Sequence, residues 1–183
     1  MFFYWKGKNY IVITGGAGFI GSNMIKYLLK KTNLKIISLD NYSTGFKKNH
    51  IKNARIKYIK SDTKNIFSIL KEPKKINAIF HFGEFARIYQ SFLQMSNCLE
   101  SNSIGTNAIF NFCLKYKIKL IYSATSASLG NKGKDKDLSP YAFTKAKNLE
   151  LLQNLKNIYL NKKSLKYFKS IIGLSKIHQI MQY

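Results

Sequence analysis

Between a five-residue apolar run and an amphipathic stretch, this chain places four glycines in seven positions, Gly15-Gly16-Ala17-Gly18-Phe19-Ile20-Gly21. The run before them, Tyr10-Ile11-Val12-Ile13-Thr14, is β-branched and apolar, the pattern of a buried strand. After them, Ile20, Met24, Ile25, Tyr27, Leu28 and Leu29 recur close to helical spacing through Lys31. The spacing therefore predicts strand, tight turn and helix. Gly15 permits the turn, Gly18 lets backbone N–H groups approach a ligand, and Gly21 lets the helix pack close to the strand. Free N–H groups at a helix start favour a diphosphate, the dipole contributing roughly 0.3–1 kcal/mol per charge. Glycines in this number also suit a purely structural turn, so the motif needs its context.

That context is an alternation. Strands are expected at Lys35–Asp40, 55–61, 76–82 and 118–123, and helices at 64–71, within 91–116, and at 140–157. Strand–helix alternation implies right-handed crossovers and a parallel sheet covered on both faces. The fold class is α/β, a Rossmann-type doubly wound parallel sheet. Asp40 closes the second strand nineteen residues beyond Gly21. A carboxylate there accepts hydrogen bonds from both hydroxyls of an adenosine ribose and repels a 2′-phosphate, so NAD is favoured over NADP. The alternative is a solvated aspartate after an ordinary turn.

At 183 residues and 45% hydrophobic content, the chain can bury one core of ordinary size. Its net charge of +23 raises nucleic acid as a partner. Only Arg55 and Arg87 are arginines, however, and the lysines are spread along the chain instead of forming a stripe. Nucleic-acid readers use clustered, arginine-rich surfaces, so coding bias is the preferred explanation and no specific nucleic acid is expected. Cys98 and Cys113 lack metal-ligand spacing, which predicts reduced thiols and no metal site. No apolar stretch approaches the roughly 18 residues that cross a bilayer. The expected location is cytoplasmic.

Tyr141 and Lys145 stand four apart at the start of the last helix, just after Pro140, and so share a face. An unperturbed tyrosine titrates near about 10, so service as a base near pH 7 asks for roughly 4 kcal/mol of preferential phenolate stabilisation. A neighbouring ammonium has the right sign for this. The pair also occurs by chance in a chain rich in both residues. Upstream, Ser123-Ala124-Thr125-Ser126 ends the fifth strand, at the sheet edge where such folds bind ligands. A polar turn is the other reading of those hydroxyls.

Together these segments resemble the NAD-dependent sugar-nucleotide epimerase/dehydratase group of the extended short-chain dehydrogenase/reductases, over about residues 9–157. The likeness rests on the glycine loop, on Asp40-Asn41-Tyr42-Ser43-Thr44-Gly45, on His81-Phe82-Gly83, on Asn102 with Gly105-Thr106, and on Pro140-Tyr141 through Lys145. Residues 39–45 are especially similar to UDP-glucose 4-epimerases. The resemblance implies that Gly15, Gly18, Phe19, Ile20 and Gly21 hold the pyrophosphate and Asp40 the adenosine ribose. It likewise places Asn41, Asp62, Phe82 and Asn102 around the cofactor. Tyr141 would be the base and Lys145 the ribose ligand that tunes it. Thr125 would be the catalytic hydroxyl, with Ser126 as fallback. The implied substrate is a nucleotide sugar, a UDP-sugar first, and the implied assembly a homodimer. Ser126 and Ala127 follow Thr125 where a dehydratase commonly carries acids, so epimerisation is preferred to dehydration.

Departures from the pattern are also legible. Leu129 stands where a tyrosine is common, and the stretch from Thr125 to Tyr141 is short. Gly83-Glu84-Phe85-Ala86 replaces an alanine-rich segment and brings a carboxylate near the cofactor. Glu84 is expected to pair with Arg87 or to face solvent. Residues 158–183 contain no acid and are expected to lack the later strands and substrate domain that the resemblance implies. They are expected to be a basic tail, either a truncated or frameshifted frame or an amphipathic helix for a membrane or partner. A non-catalytic NAD-binding remnant is the corresponding alternative function.

Overall fold

A computed structural model of the chain describes residues 7–125, 138–160 and 171–173. Six parallel strands form one sheet in the order β3-β2-β1-β4-β5-β6. They are β1 (Tyr10–Thr14), β2 (Lys35–Asp40), β3 (Ile56–Lys60), β4 (Ile76–His81), β5 (Lys119–Ala124) and β6 (Ile171–Gly173). The chain runs outward from β1 to β3, returns to β4 on the other side of β1, and continues outward. That reversal opens a crevice at the carboxyl ends of β1 and β4, where open parallel sheets bind ligands.

Residues alternate between the two faces. Ile11, Ile13, Phe80 and Ile121 face one side and pack with Met24, Ile25 and Leu28 of α1 (Phe19–Lys31). Val12, Ile79, Leu120 and Tyr122 face the other, against Ile109, Phe110 and Phe112 of α5 (Thr106–Tyr116) and Leu152 of α6 (Pro140–Leu160). Ile11, Val12 and Ile13 are all essentially inaccessible to solvent, which explains why β1 reads as an unbroken apolar run.

The structure departs from the sequence expectation in two places and refines it in a third. The helix expected at 64–71 is a 3₁₀ turn followed by the single turn α2 (Ile66–Ile69). The long helix expected within 91–116 runs without a break from Met95 to Tyr116, as α4 (Met95–Leu99), a π-helical turn at Glu100–Gly105, and α5, and the separate α3 (Ile88–Leu93) precedes it. The wider π turn carries Asn102 inward and sets Gly105 against Thr63, whose Oγ1 would lie 2.3 Å from any added Cβ. Finally, β6 pairs in parallel with β5 within the stretch expected to be a tail, with Tyr122 opposite Ile171 and Ala124 opposite Gly173. Three residues fall below the length at which a strand pattern is readable. Among the described residues, no helix is long and apolar enough to cross a membrane.

Candidate functional site

The turn after β1 has the geometry its glycines predict. Gly15 has φ +70, and a Cβ there would lie 2.7 Å from the Phe82 carbonyl carbon. At Gly21 a Cβ would meet the Gly15 carbonyl oxygen at 2.2 Å, so helix and turn touch backbone to backbone. Gly18 differs. Its backbone is extended (φ −80, ψ 174), and a Cβ there meets only the Gly15 carbonyl oxygen, at 3.3 Å. The protein's own packing thus makes a smaller demand for glycine at 18 than at 15 or 21, and the residue lines an open cleft of about 450 Å³. A side chain there would project where a diphosphate approaches the start of α1, so the cradle fits that group.

The cleft gathers most of the expected residues. Gly15, Phe19, Ile20 and Gly21 line it beside Gly18, and Asp40, Asn41, Asp62 and Phe82 continue its wall. Asp40 has its oxygens partly committed: Oδ2 accepts from the Ala17 N–H at 2.9 Å and Oδ1 from the Tyr42 N–H at 2.8 Å. A carboxylate offers about four acceptor positions, so two remain for a ribose diol. The same carboxylate thereby ties the end of β2 to the glycine turn. Asn41 donates to Asp62 at 3.1 Å, and Asp62 caps the following turn through the Lys64 N–H. Residues 41–50 fold back over the turn, where Phe46 N–H and Asn49 Nδ2 both donate to the Ala17 carbonyl.

At the far end lie Tyr141 and Lys145, which also line the cleft. Ser139 caps α6 by accepting from the Ala142 N–H at 3.0 Å, and Pro140 follows in the first turn. This start aims the Tyr141 hydroxyl at Thr125, to which it donates at 3.3 Å. Thr125 follows the last residue of β5, so the two hydroxyls come from opposite ends of the connection between β5 and α6. Ser126, the fallback hydroxyl, lies outside the described residues, as does Leu129.

One expectation needs correction. Glu84 neither pairs with Arg87 nor faces solvent: it is buried and forms an ion pair with Lys145, their side chains 4% and 5% exposed. Its other oxygen accepts from Thr106 Oγ1 at 2.8 Å, Tyr122 OH at 3.0 Å and Asn148 Nδ2 at 3.3 Å. Burial works to raise the Glu84 carboxyl pKa, but the Lys145 ammonium, His81, and hydrogen bonds from Lys145 and Thr106 outweigh it and leave it below the usual range. Asn102, in turn, is buried away from the cleft wall. It accepts from the Phe85 N–H at 2.7 Å, donates to the Phe85 carbonyl at 3.0 Å, and donates to Thr144 at 3.1 Å. It clamps the segment carrying Glu84 to α6.

Electrostatics at Tyr141 also differ from the simple two-residue picture. Burial pushes its phenol pKa up; the Thr125 hydrogen bond pulls it down, and the charges of Glu84 and Cys98 push it up further. Lys145, instead of aiming its charge at the phenol, donates to Glu84 and to the Ser123 carbonyl and sits 4.4 Å from the Tyr122 ring centre.

Behind this pair runs a directional chain that sequence reasoning missed. Thr14 Oγ1 accepts from the Phe82 and Gly83 N–H groups, so its own proton goes to His81 Nδ1 at 2.6 Å. His81 then carries its proton on Nε2 and donates to Thr106 at 3.0 Å, and Thr106 donates to Glu84. Burial, the larger cause, holds His81 down to about 4, with Glu84 opposing and Lys145 assisting. A neutral imidazole is what the chain of donors requires.

The depressed His81 value has a consequence for stability. An unfolded histidine takes up a proton below about 6.5, while the folded one does not until about 4, so stability falls as pH drops through that window. The loss is on the order of 3 kcal/mol for this group. Urea titrations between pH 7 and 4 are expected to show this slope, and His81→Gln to flatten it.

Comparison with known proteins matches the chain to the NAD dependent epimerase/dehydratase family over residues 11–172. An uncharacterised protein of Methanocaldococcus jannaschii is 33% identical over 165 residues, covering 78% of this chain and 50% of that protein. A dTDP-D-glucose 4,6-dehydratase of Dictyostelium discoideum is 35% identical over 133 residues, covering 66% of this chain and 30% of the enzyme. Among solved structures, the UDP-Glc/GlcNAc 4-epimerase of Campylobacter jejuni aligns with TM-score 0.72 and 27% identity, over 82% of this chain and 50% of that one. The chain thus spans half or less of the length of these relatives. Because the family match runs from the first strand into the last, and not over a glycine motif alone, the chain belongs to the NAD dependent epimerase/dehydratase family.

Proposed function

We propose that residues 1–157 are the NAD-binding unit of a nucleotide-sugar 4-epimerase working on a UDP-sugar. The observation that carries this reading is the Tyr141–Thr125 contact of 3.3 Å at one end of the cleft whose other end is the glycine turn. Gly15 through Gly21 would hold the pyrophosphate, Asp40 the adenosine ribose, and Lys145 a hydroxyl of the second ribose. Bound there, the nicotinamide supplies the acceptor, and later the donor, of a hydride. Thr125 and Tyr141 would hydrogen-bond the sugar's 4-hydroxyl, and Tyr141, having first released its own phenolic proton to solvent, would take the hydroxyl's proton as the carbon–hydrogen bond gives up its electron pair. Tyr141 returns that proton when hydride comes back to the opposite face of the ketone.

Dehydration is the second reading, favoured by the likeness to the Dictyostelium dehydratase. Ser126-Ala127 after Thr125 argues against it, since no acid stands there to expel water. Groups that select the sugar are proposed to come from a segment or chain beyond this unit. Titration with NAD, followed by assays of UDP-glucose, UDP-N-acetylglucosamine and dTDP-glucose, separates the readings. Interconversion of 4-epimers supports the first, a 4-keto-6-deoxy product the second. NAD binding with no turnover of any sugar leaves a non-catalytic NAD-binding chain.

A homodimer is proposed through the helices that follow β4 and β5. Ile88, Tyr89, Phe92 and Leu93 on α3, Met95 on α4 and Phe143 on α6 are all 45% or more exposed. Such a concentration of large apolar side chains marks an interaction surface. Sedimentation equilibrium is expected to give a dimer, and Leu93→Lys, 70% exposed in this chain, a monomer of unchanged thermal stability.

A further inference from the structure

Because Glu84 takes Lys145 as its partner, the arginine expected to pair with it is left over. Arg87 is exposed, lines the cleft, and has no hydrogen-bonding or ionic partner among the described residues. The other acids on the cleft wall are committed elsewhere, Asp40 to the Ala17 and Tyr42 N–H groups and Asp62 to Asn41 and the Lys64 N–H. With Lys145 neutralised by Glu84, Arg87 is the one cleft-lining cation among the described residues that lacks a counter-charge.

Residue type narrows what that cation can serve. Of the 31 lysines and arginines in this chain, only Arg55 and Arg87 are arginines. Arg55 uses the geometry that a lysine lacks: its Nη1 and Nη2 donate separately to the Thr32 and Leu29 carbonyls at the end of α1. Arg87 presents the same planar fork to the cleft, where the matching acceptor is a phosphate. Its backbone is moored on both sides. Asn102 holds both the N–H and the carbonyl of Phe85, and the Arg87 carbonyl accepts from the Ser91 N–H. Ser91 Oγ in turn accepts from the Tyr141 N–H at 3.3 Å. The mooring therefore lies toward Tyr141, on the β4 side of β1, whereas Asp40 ends β2 on the other side.

We propose that Arg87 binds the diphosphate of the nucleotide sugar, its guanidinium donating to phosphate oxygens from two nitrogens. The N–H groups of the glycine turn serve the cofactor's diphosphate. A second diphosphate arrives with its sugar at Thr125 and Tyr141, the end to which Arg87 is moored. This inference rests on the reading proposed above and adds a hold on the substrate that belongs to this unit itself.

Calorimetry tests it, first with NAD alone and then with UDP added to the NAD-saturated chain. Failure to bind NAD shows in the first titration and counts against the earlier reading; UDP is then titrated into the free chain, where the same comparison decides. The parent is expected to take up UDP saturably, and Arg87→Gln to weaken that uptake by about 10–100-fold, the range of a hydrogen bond to a charged group. Arg87→Lys is expected to restore only part of the loss, since an ammonium has no fork. Lys26→Gln removes an equal charge from an exposed position of α1 outside the cleft and is expected to leave both affinities unchanged. All three variants are expected to keep the parent's thermal midpoint. UDP affinity unmoved in Arg87→Gln, an equal loss in Lys26→Gln, or no saturable uptake of UDP by the parent would overturn the proposal. Arg87→Gln that weakens NAD and spares UDP would also overturn it, by assigning the guanidinium to the cofactor's diphosphate. Full recovery in Arg87→Lys would refute the forked contact.

Discussion

Glu84→Ala is expected to lower the unfolding free energy by about 3–5 kcal/mol, the cost of leaving a buried charge without its partner. Lys145 is 5% exposed at its side chain and cannot reach bulk water without withdrawing from the end of β5. Truncation also strips acceptors from Thr106, Tyr122 and Asn148, each bonded to one carboxylate oxygen. Urea denaturation is expected to show a lower midpoint with an unchanged slope. Glu84→Ala combined with Lys145→Met is expected to recover a large part of the loss, because the stranded charge is then gone. A loss under about 1 kcal/mol in the single variant would mean that Lys145 finds water or another acceptor.

Tyr141→Phe is expected to reduce turnover of the nucleotide sugar by about 10²–10⁴-fold, the usual worth of a positioned acid–base group. The hydroxyl donates only to Thr125, at 3.3 Å, so its removal leaves one threonine without a long contact and costs little stability. NAD affinity is expected to change less than threefold, since no group in the glycine turn or at Asp40 touches this phenol. Single-turnover reduction of enzyme-bound NAD by the sugar measures the chemical step directly. Unchanged reduction in Tyr141→Phe would remove this residue from the mechanism.

The parts of this molecule legible in its sequence were those whose chemistry is local. The turn at Gly15–Gly21 announces itself through its own glycines, although Gly15 is also pressed against Phe82 from β4's end, and Asp40 is placed by the strand it ends. Tyr141 and Lys145 share a helix face by their spacing alone. Glu84 was misread because its surroundings in the chain, Gly83, Phe85, Ala86 and Arg87, offer only Arg87 as a partner. Its real partner is 61 residues away, on α6. Tyr122 lies within the strand expected at 118–123, and nothing in its neighbours along the chain marks a phenol that reaches Glu84.

The helix expected within 91–116 is present from Met95 to Tyr116, and only its start was hard to read. Exposed Phe92, Leu93 and Met95 keep the apolar pattern going where the backbone in fact breaks, because they belong to an outward surface and not to the core. Periodicity records that a residue is apolar, not which partner makes it so. Asn102 showed the reverse. Its place in the family pattern was readable, whereas its work, clamping Phe85 and Thr144, depends on a π turn that no spacing rule announces.

Calorimetric titration with NAD, on the parent chain and on Gly18→Val, tests the central claim most directly. Gly18 has an extended backbone and less of the protein's own packing against it than Gly15 or Gly21, so the valine variant is expected to fold with near-parent stability. The parent is expected to bind NAD saturably at one site per chain, and Gly18→Val to lose that binding by at least about a hundredfold as its side chain fills the diphosphate cradle. A folded Gly18→Val protein that binds NAD as tightly as the parent would contradict this account.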